Sequence, residues 1–148
     1  VFGTVLVPGT GLLELALSAA HHVGAGGVGE LTLLEPLVLS EDVPLRLQVR
    51  VGPASGTDDR TVEIHSRAED APEHAPWRLH ASGHLLATAP EAQATELAQW
   101  PVPGTERVEL DGFYDAFRAR GLEYGPAFQG LTELWRKGST AYGLIRLP

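Results

Sequence analysis

The residues of this chain that could do chemistry are few, and most fall in two short segments. One is Gly3-Thr4-Val5-Leu6-Val7-Pro8-Gly9, which runs into a Pro-Gly-Thr-Gly turn. The other is Gly121-Leu122-Glu123-Tyr124-Gly125-Pro126-Ala127-Phe128-Gln129-Gly130, where a phenol is set in a turn of glycine and proline. Histidine supplies the remaining candidates for a base or a metal ligand. His80 and His84 project from the same side of an expected strand, which invites a metal reading, although a pair on a wet strand face is accounted for by solvation. His21 and His22 sit at the far end of an apolar helix. With no cysteine in the chain, disulfides, thiolate metal sites and a cysteine nucleophile are excluded. There is no GxSxG elbow, no Walker loop and no dinucleotide fingerprint. Asp58-Asp59 and Glu69-Asp70 read as loop charges, and Arg46 and Arg50 as a solvated strand face.

Charge and composition narrow the function classes. Against 11 basic residues the chain carries 19 acidic ones, for a net charge of −8. An acidic surface repels phosphate backbones, and no Lys/Arg cluster offsets it, so nucleic acid is excluded as a partner. No stretch approaches the roughly 20 apolar residues of a membrane helix, so no membrane partner is expected. No basic segment leads into an apolar run and a cleavage site, so no secretory signal is read, and the cytoplasm is the expected compartment. The first residue is Val1, methionine is absent, and Tyr142 to Pro148 reads as a strand without a tail. The expectation is a piece of a longer polypeptide.

The elements that must position these residues follow from hydrophobic period. Pro8-Gly9-Thr10-Gly11 breaks a short apolar strand, and Thr10 or Gly11 is expected to cap the helix that follows. From Leu12 to Val23 that helix is apolar almost all round, with Glu14, Ser18 and His21 or His22 forming one narrow polar stripe. Such a helix must be wrapped on most sides. Strands are expected over Glu30 to Leu39, bent at Pro36, over Leu45 to Val51 and over Thr61 to Arg67. A further strand has Trp77, Leu79, Ala81, Gly83 and Leu85 facing in, with Arg78, His80, Ser82 and His84 facing out. One buried helix followed by about four antiparallel strands predicts an α+β hotdog fold, a sheet curled round a central helix. Ala87 to Gly104, rich in Ala, Gln and Pro, reads as a surface linker that reaches Trp100-Pro101. Asp111 is then expected to cap a short helix carrying Phe113, Tyr114 and Phe117, stopped by Gly121. A hairpin at Gly138-Ser139 closes the chain.

The first segment resembles the downstream part of the HxxxGxxxxP motif of polyketide synthase dehydratases, with Gly3 and Pro8 at the motif positions. Tyr124 to Gly130 resembles the same family's YGPxFQG motif. Leu31-Thr32-Leu33 with Pro36-Leu37-Val38-Leu39, the Trp77 strand and the Trp100-Pro101 linker follow the family's layout, so the resemblance covers essentially the whole chain. The family implies a double hotdog, two units in one chain with the active site between them. The expected division is residues 1–90 for most of the first hotdog, 91–108 for the linker and 109–148 for the start of the second.

The resemblance implies that a histidine removes the α-proton of a 3-hydroxyacyl thioester, and that an aspartate protonates the leaving hydroxyl. It implies no metal and no redox cofactor, the substrate being carried on the phosphopantetheine arm of an acyl carrier protein. The acyl carrier protein and neighbouring synthase domains are then the partners, with a homodimer in the parent enzyme. Counting back from Gly3, the motif histidine falls two places before Val1, and the aspartate is expected after Pro148. No catalytic side chain is therefore assigned within the chain, and the isolated chain is expected to be inactive. His21 and His22 match no motif position. Substrate-pocket residues implied by the motifs are Gly3, Pro8, Gly9, Tyr124, Gly125, Pro126 and Phe128. At Pro8-Gly9-Thr10-Gly11 a plain strand-to-helix break and a set of amides polarising the thioester carbonyl are both open. Tyr124 either packs beside Phe128 or lines the pocket. Gly125, Pro126 and Gly130 shape the backbone, and Gln129 is a candidate loop hydrogen bond. Two other functions remain open: a non-catalytic dehydratase-like scaffold or dimerisation domain, and a related polyketide-binding cyclase or isomerase. A hotdog thioesterase has no place for the YGPAFQG element.

Overall fold

The structure, a computed structural model, describes residues 1–89 and 99–147. They divide into two compact units. One comprises residues 4–89, and the other residues 1–3 together with 99–147. No helix among the described residues is long and apolar enough to cross a membrane.

The first unit is a helix laid on an antiparallel sheet. Helix α1 (Gly9–His22) starts earlier than the apolar pattern suggests. Pro8 stands at its N-cap position and neither Thr10 nor Gly11 caps it, because both lie inside the first turn. Proline fits that entry, since it has no N–H to leave unsatisfied and its ring fixes φ. The Pro8 carbonyl accepts the amides of Gly11 and Leu12 at 2.9 and 3.2 Å. Gly24, at φ +68°, turns the chain out of the helix, a conformation that glycine adopts without a Cβ clash.

Four strands form the sheet in the order β2-β6-β5-β4: β2 (Gly27–Leu33), β6 (Arg78–Leu86), β5 (Arg60–Ala68) and β4 (Leu45–Val51). The expected single strand from Glu30 to Leu39 is two strands. Pro36, which cannot donate to a ladder, lies in the break between them. Beyond it β3 (Val38–Leu39) pairs instead with β1 (Val5–Leu6). Leu12, Ala16 and Ala20 of α1 join Leu37, Val62, Ile64, Ala81 and Leu85 in the dry core, with Leu45, Val49 and Val51 packed beside it. Only one face of α1 is buried in this way. Leu13 and Leu17, expected to be wrapped, stay 39% and 40% exposed. Further apolar surface is open at Val5, Leu33, Leu34, Val38 and Leu39.

The alternation expected along β6 holds from Ala81 to Leu85 and fails at His80. Ile64 pairs with Ala81 and the next residue, His65, with Leu79, which leaves His80 as an extra residue in β6. A bulge of this kind puts two residues opposite one and re-aims a side chain. His80 is accordingly buried beside Ala81, only 2% exposed, and does not share a wet face with His84. Its Nε2 meets the Ser66 hydroxyl at 2.7 Å and its Nδ1 the Glu35 carbonyl at 3.1 Å. The His80 carbonyl also accepts the amides of Leu34 and Glu35, at 2.8 and 3.3 Å.

The second unit is a three-stranded antiparallel sheet with a short helix. Strand β8 (Leu131–Lys137) lies between β7 (Glu106–Val108) and β9 (Thr140–Ile145). Strand β7 falls inside the span expected to be linker, so sheet pairing begins before residue 109. Residues 90–98 of that expected linker lie outside the described residues. Gly138, at φ +58°, makes the β8–β9 hairpin as read from the sequence. Helix α2 (Phe113–Arg118) is capped not by Asp111 but by Gly112, whose left-handed φ of +69° needs no side chain. No residue of this unit is fully buried among the described residues.

Candidate functional site

The two motif segments are built by different means. In the first, Val7 donates its amide to Leu37 O at 2.9 Å, fixing the approach to the helix. Gly9 opens α1 against Leu33: a Cβ there would lie 2.9 Å from the Leu33 Cδ1. Among the described residues, the amides of Gly9 and Thr10 meet no carbonyl and no side-chain oxygen. These are unspent donors at the positive end of a helix dipole, where a developing negative charge on oxygen is stabilised.

In the second segment the glycine-proline turn is held by its own side chains. Gly125 leads into a single 3₁₀ turn over Pro126–Phe128, and proline stands where the first amide has no helical acceptor. Gln129 closes the turn by donating its Nε2 to the Tyr124 carbonyl at 2.7 Å. Tyr124 is not packed on Phe128. Its ring stands edge-on to Phe117 and Tyr114 of α2, with centroids 5.6 and 6.2 Å apart. Tyr124 remains 43% exposed and Phe128 53% exposed, so both present ring surface outward. Tyr114 has a second task that the sequence did not announce: its hydroxyl accepts the Leu131 amide at 3.0 Å, at the start of β8. A phenol three residues before Phe117 on an aromatic helix reads as packing, and its hydroxyl partner is set only by the turn that brings Leu131 back.

Within the second unit, residues 1–3 are held to the Gly121 end of the second segment. Phe2 donates its amide to the Gly121 carbonyl at 2.7 Å. A Cβ on Gly121 would collide with the Phe2 ring, so the close approach requires glycine, and Gly121 lies at φ +82° as well. Gly3, at φ +76°, follows directly. Of the expected pocket residues, Gly3, Tyr124, Gly125, Pro126 and Phe128 thus belong to one unit, while Pro8 and Gly9 belong to the other.

Two depressions lie elsewhere. One, of about 240 Å³, lies over Gly83 and is lined by Glu30, Thr32, Glu63 and His84 among others. Another, of about 270 Å³, lies at the β8–β9 hairpin beside Arg136 and Lys137. Neither contains a motif residue. The His80–His84 metal reading fails on geometry, since His80 points into the core at Ser66. Among the described residues no group of three His, Asp or Glu converges on one point.

Comparison with known proteins gives one answer along the chain. Residues 1–67 match the polyketide synthase dehydratase domain family, and residues 92–148 match the polyketide synthase dehydratase N-terminal domain family. Over 149 residues the chain is 44% identical to Pikromycin polyketide synthase component PikAII of Streptomyces venezuelae, covering 100% of this chain and 4% of that protein. The crystal structure of the erythromycin dehydratase superposes with a TM-score of 0.89 at 36% identity, covering 100% of this chain and 54% of that one. A structure from work on dehydratase substrate selection for the borrelidin and fluvirucin polyketide synthases gives a TM-score of 0.86 at 41% identity, covering 98% of this chain and 50% of that one. The chain therefore spans about half the length of these solved dehydratase chains. Its α+β architecture, an antiparallel sheet with a helix laid on it, is the hotdog fold of those domains. With both motif segments and the elements between them matched, this chain belongs to the polyketide synthase dehydratase family.

Proposed function

We propose that the chain is part of a domain that dehydrates a 3-hydroxyacyl thioester, carried on an acyl carrier protein, to the 2,3-unsaturated thioester during polyketide biosynthesis. The observation that carries this reading is the bond within the second unit from Phe2 N–H to Gly121 O at 2.7 Å. It brings the glycine of one motif next to the loop that begins the other, although more than a hundred residues separate them in sequence.

The reaction is an elimination. A base takes the proton from Cα, the electron pair becomes the new Cα–Cβ π bond, and the Cβ–O bond breaks as an acid delivers a proton to the departing oxygen. Proton transfers alone complete the balance, so the proposal needs no metal and no redox cofactor. The base is the motif histidine two places before Val1, and the acid is an aspartate beyond Pro148. Negative charge develops on the thioester oxygen as the α-proton leaves. The free Gly9 and Thr10 amides at the start of α1 are suited to receive it. Tyr124, half exposed beside the Gly125–Pro126 turn, is suited to line the acyl chain's path. The acyl carrier protein delivers the substrate, neighbouring synthase domains flank the site, and the parent enzyme works as a cytoplasmic homodimer.

The test compares the 148-residue chain with the same chain extended by both flanks of its parent. Each receives a 3-hydroxyacyl carrier protein or a pantetheine surrogate, and product is followed as the mass loss of one water. A positioned base or acid typically contributes about 10²–10⁴-fold. The chain alone should therefore stay near background, and the extended form should turn over. Turnover by the chain alone, or none by the extended form, would sink the reading.

A further inference from the structure

We propose that Glu133 is a positioning residue whose carboxylate draws the indoles of Trp100 and Trp135 onto one oxygen, and so pins residues 99–105 to the three-stranded sheet. Trp100 donates its Nε1–H to Glu133 Oε2 at 3.0 Å, and Trp135 donates to the same oxygen at 3.2 Å. Trp100 belongs to the segment that runs into β7, and Glu133 and Trp135 belong to β8, so the contact joins residues 33 apart in sequence. An indole N–H is a donor only, and each of these is partly buried, so each needs an acceptor. A carboxylate oxygen can accept two donors, and the charge makes both bonds stronger than neutral ones.

The segment is fixed at its other end as well. Thr105 donates its hydroxyl to the Val102 carbonyl at 2.6 Å, closing a turn through Gly104 at φ +74° that delivers the chain into β7. Strand β8 in turn begins where the Tyr124–Gly130 turn ends, with Leu131 held by Tyr114. The clamp therefore fastens the incoming segment to the strand that leaves the motif turn. The charged groups facing the carboxylate are Arg107 from β7 and Arg146 just beyond β9, and both favour its ionised form. Those two guanidiniums add to the larger effect of the Trp100 and Trp135 hydrogen bonds in holding the Glu133 carboxyl below the usual 4.5. The proposal rests on this geometry and not on the dehydration reading.

The test uses the 148-residue chain labelled with ¹⁵N at its indoles; its three tryptophans are Trp77, Trp100 and Trp135. Single replacements by phenylalanine assign the three N–H signals. At neutral pH, Glu133→Ala should move the Trp100 and Trp135 signals and leave Trp77 in place. On acidification of the unaltered chain the same two signals should move together through one midpoint below 4.5. Trp100→Phe, which removes one donor, should raise the midpoint read at Trp135. If Glu133→Ala leaves the Trp100 signal where it was, or if the two signals titrate at different midpoints, the clamp does not exist.

Discussion

The two units of this chain are held together in different ways. In residues 4–89 a helix and four strands enclose eight buried apolar side chains, from Leu12 on α1 to Leu85 on β6. In residues 99–147 nothing described is fully buried. Order there comes from rings packed edge to edge, Phe113 with Tyr114 and Phe117, and from single polar contacts such as Leu131 to Tyr114 and Trp100 to Glu133. The first unit rests on apolar burial, which is insensitive to direction. The second rests on directional bonds, each of modest net worth. The motif turn with its open phenol is on the second kind of support.

The sharpest way to break this contrast is to cut a cavity in the first unit. Ile64 is fully buried between Ala81 and Val49 in the ladder. Ile64→Ala should cost about 2–5 kcal/mol by loss of burial plus a residual cavity, read by denaturant unfolding with tyrosine and tryptophan signals recorded separately. Next in size is Gly83→Ala. Its Cβ would collide with the Glu30 carbonyl oxygen across the β2–β6 ladder, where only backbone fits. Overpacking of that order costs about 1–3 kcal/mol, and amide exchange should accelerate along Gly27–Leu33 ahead of the other strands. In the second unit Tyr114→Phe keeps the ring and removes the acceptor of the Leu131 amide. A lost hydrogen bond of this kind costs about 0.5–1.5 kcal/mol. Should Tyr114→Phe prove as damaging as Ile64→Ala, the second unit has a core of its own and the contrast fails.

The smallest expected effect is acid sensitivity, and it sharpens the comparison by finding one device in both units. Asp59 accepts the Ala87 amide and the Thr57 hydroxyl, which, with the nearby His84, hold its carboxyl below the usual 3.8. Glu133 is held below its usual 4.5 by two indoles. A carboxyl depressed by folding stabilises the fold above its unfolded value and loses that contribution as pH falls through the folded one. Both contributions should therefore be intact at neutral pH and decline only below about pH 4, where carboxylates of this kind take up protons. Both groups are open to water, so the effect is small: Asp59→Asn should flatten the decline in acid and lower stability at pH 7 by the same small amount, measured by unfolding midpoints across that range.

Much of the first unit was legible because burial repeats with the period of its backbone. Leu45, Val49 and Val51 alternate, the α1 residues recur every four, and both patterns place residues in the observed core. What was not legible has identifiable causes. The start of α1 was misplaced because Thr10 has a capping side chain, yet Pro8 takes the position through its fixed φ and bare carbonyl. The outward placing of His80 failed because strict alternation assumes a regular ladder. The half-open Leu13 and Leu17 show that an apolar helix announces how much surface it must cover, but not that one face suffices for the residues present. In the second unit the Gly125–Pro126 turn and the Gly138 hairpin could be read, since glycine and proline mark them. The partners of Tyr114 and Glu133 could not, because nothing in a sequence says which distant amide or indole a side chain will meet.

The bulge at His80 also sets where β6 can change length. Removing one residue between Ala81 and Leu85 would turn one end of the strand inside out, bringing His84 inward in place of Leu85. At His80 the ladder would instead close up into a plain pairing, with Ala81 on Ile64 and Leu79 on His65 as they already are. The cost is confined to the partners of His80: the Ser66 hydroxyl, the Glu35 carbonyl, and the Leu34 and Glu35 amides. A shortened relative of this strand should therefore lack the residue at this one point, and should carry a small apolar side chain where Ser66 stands.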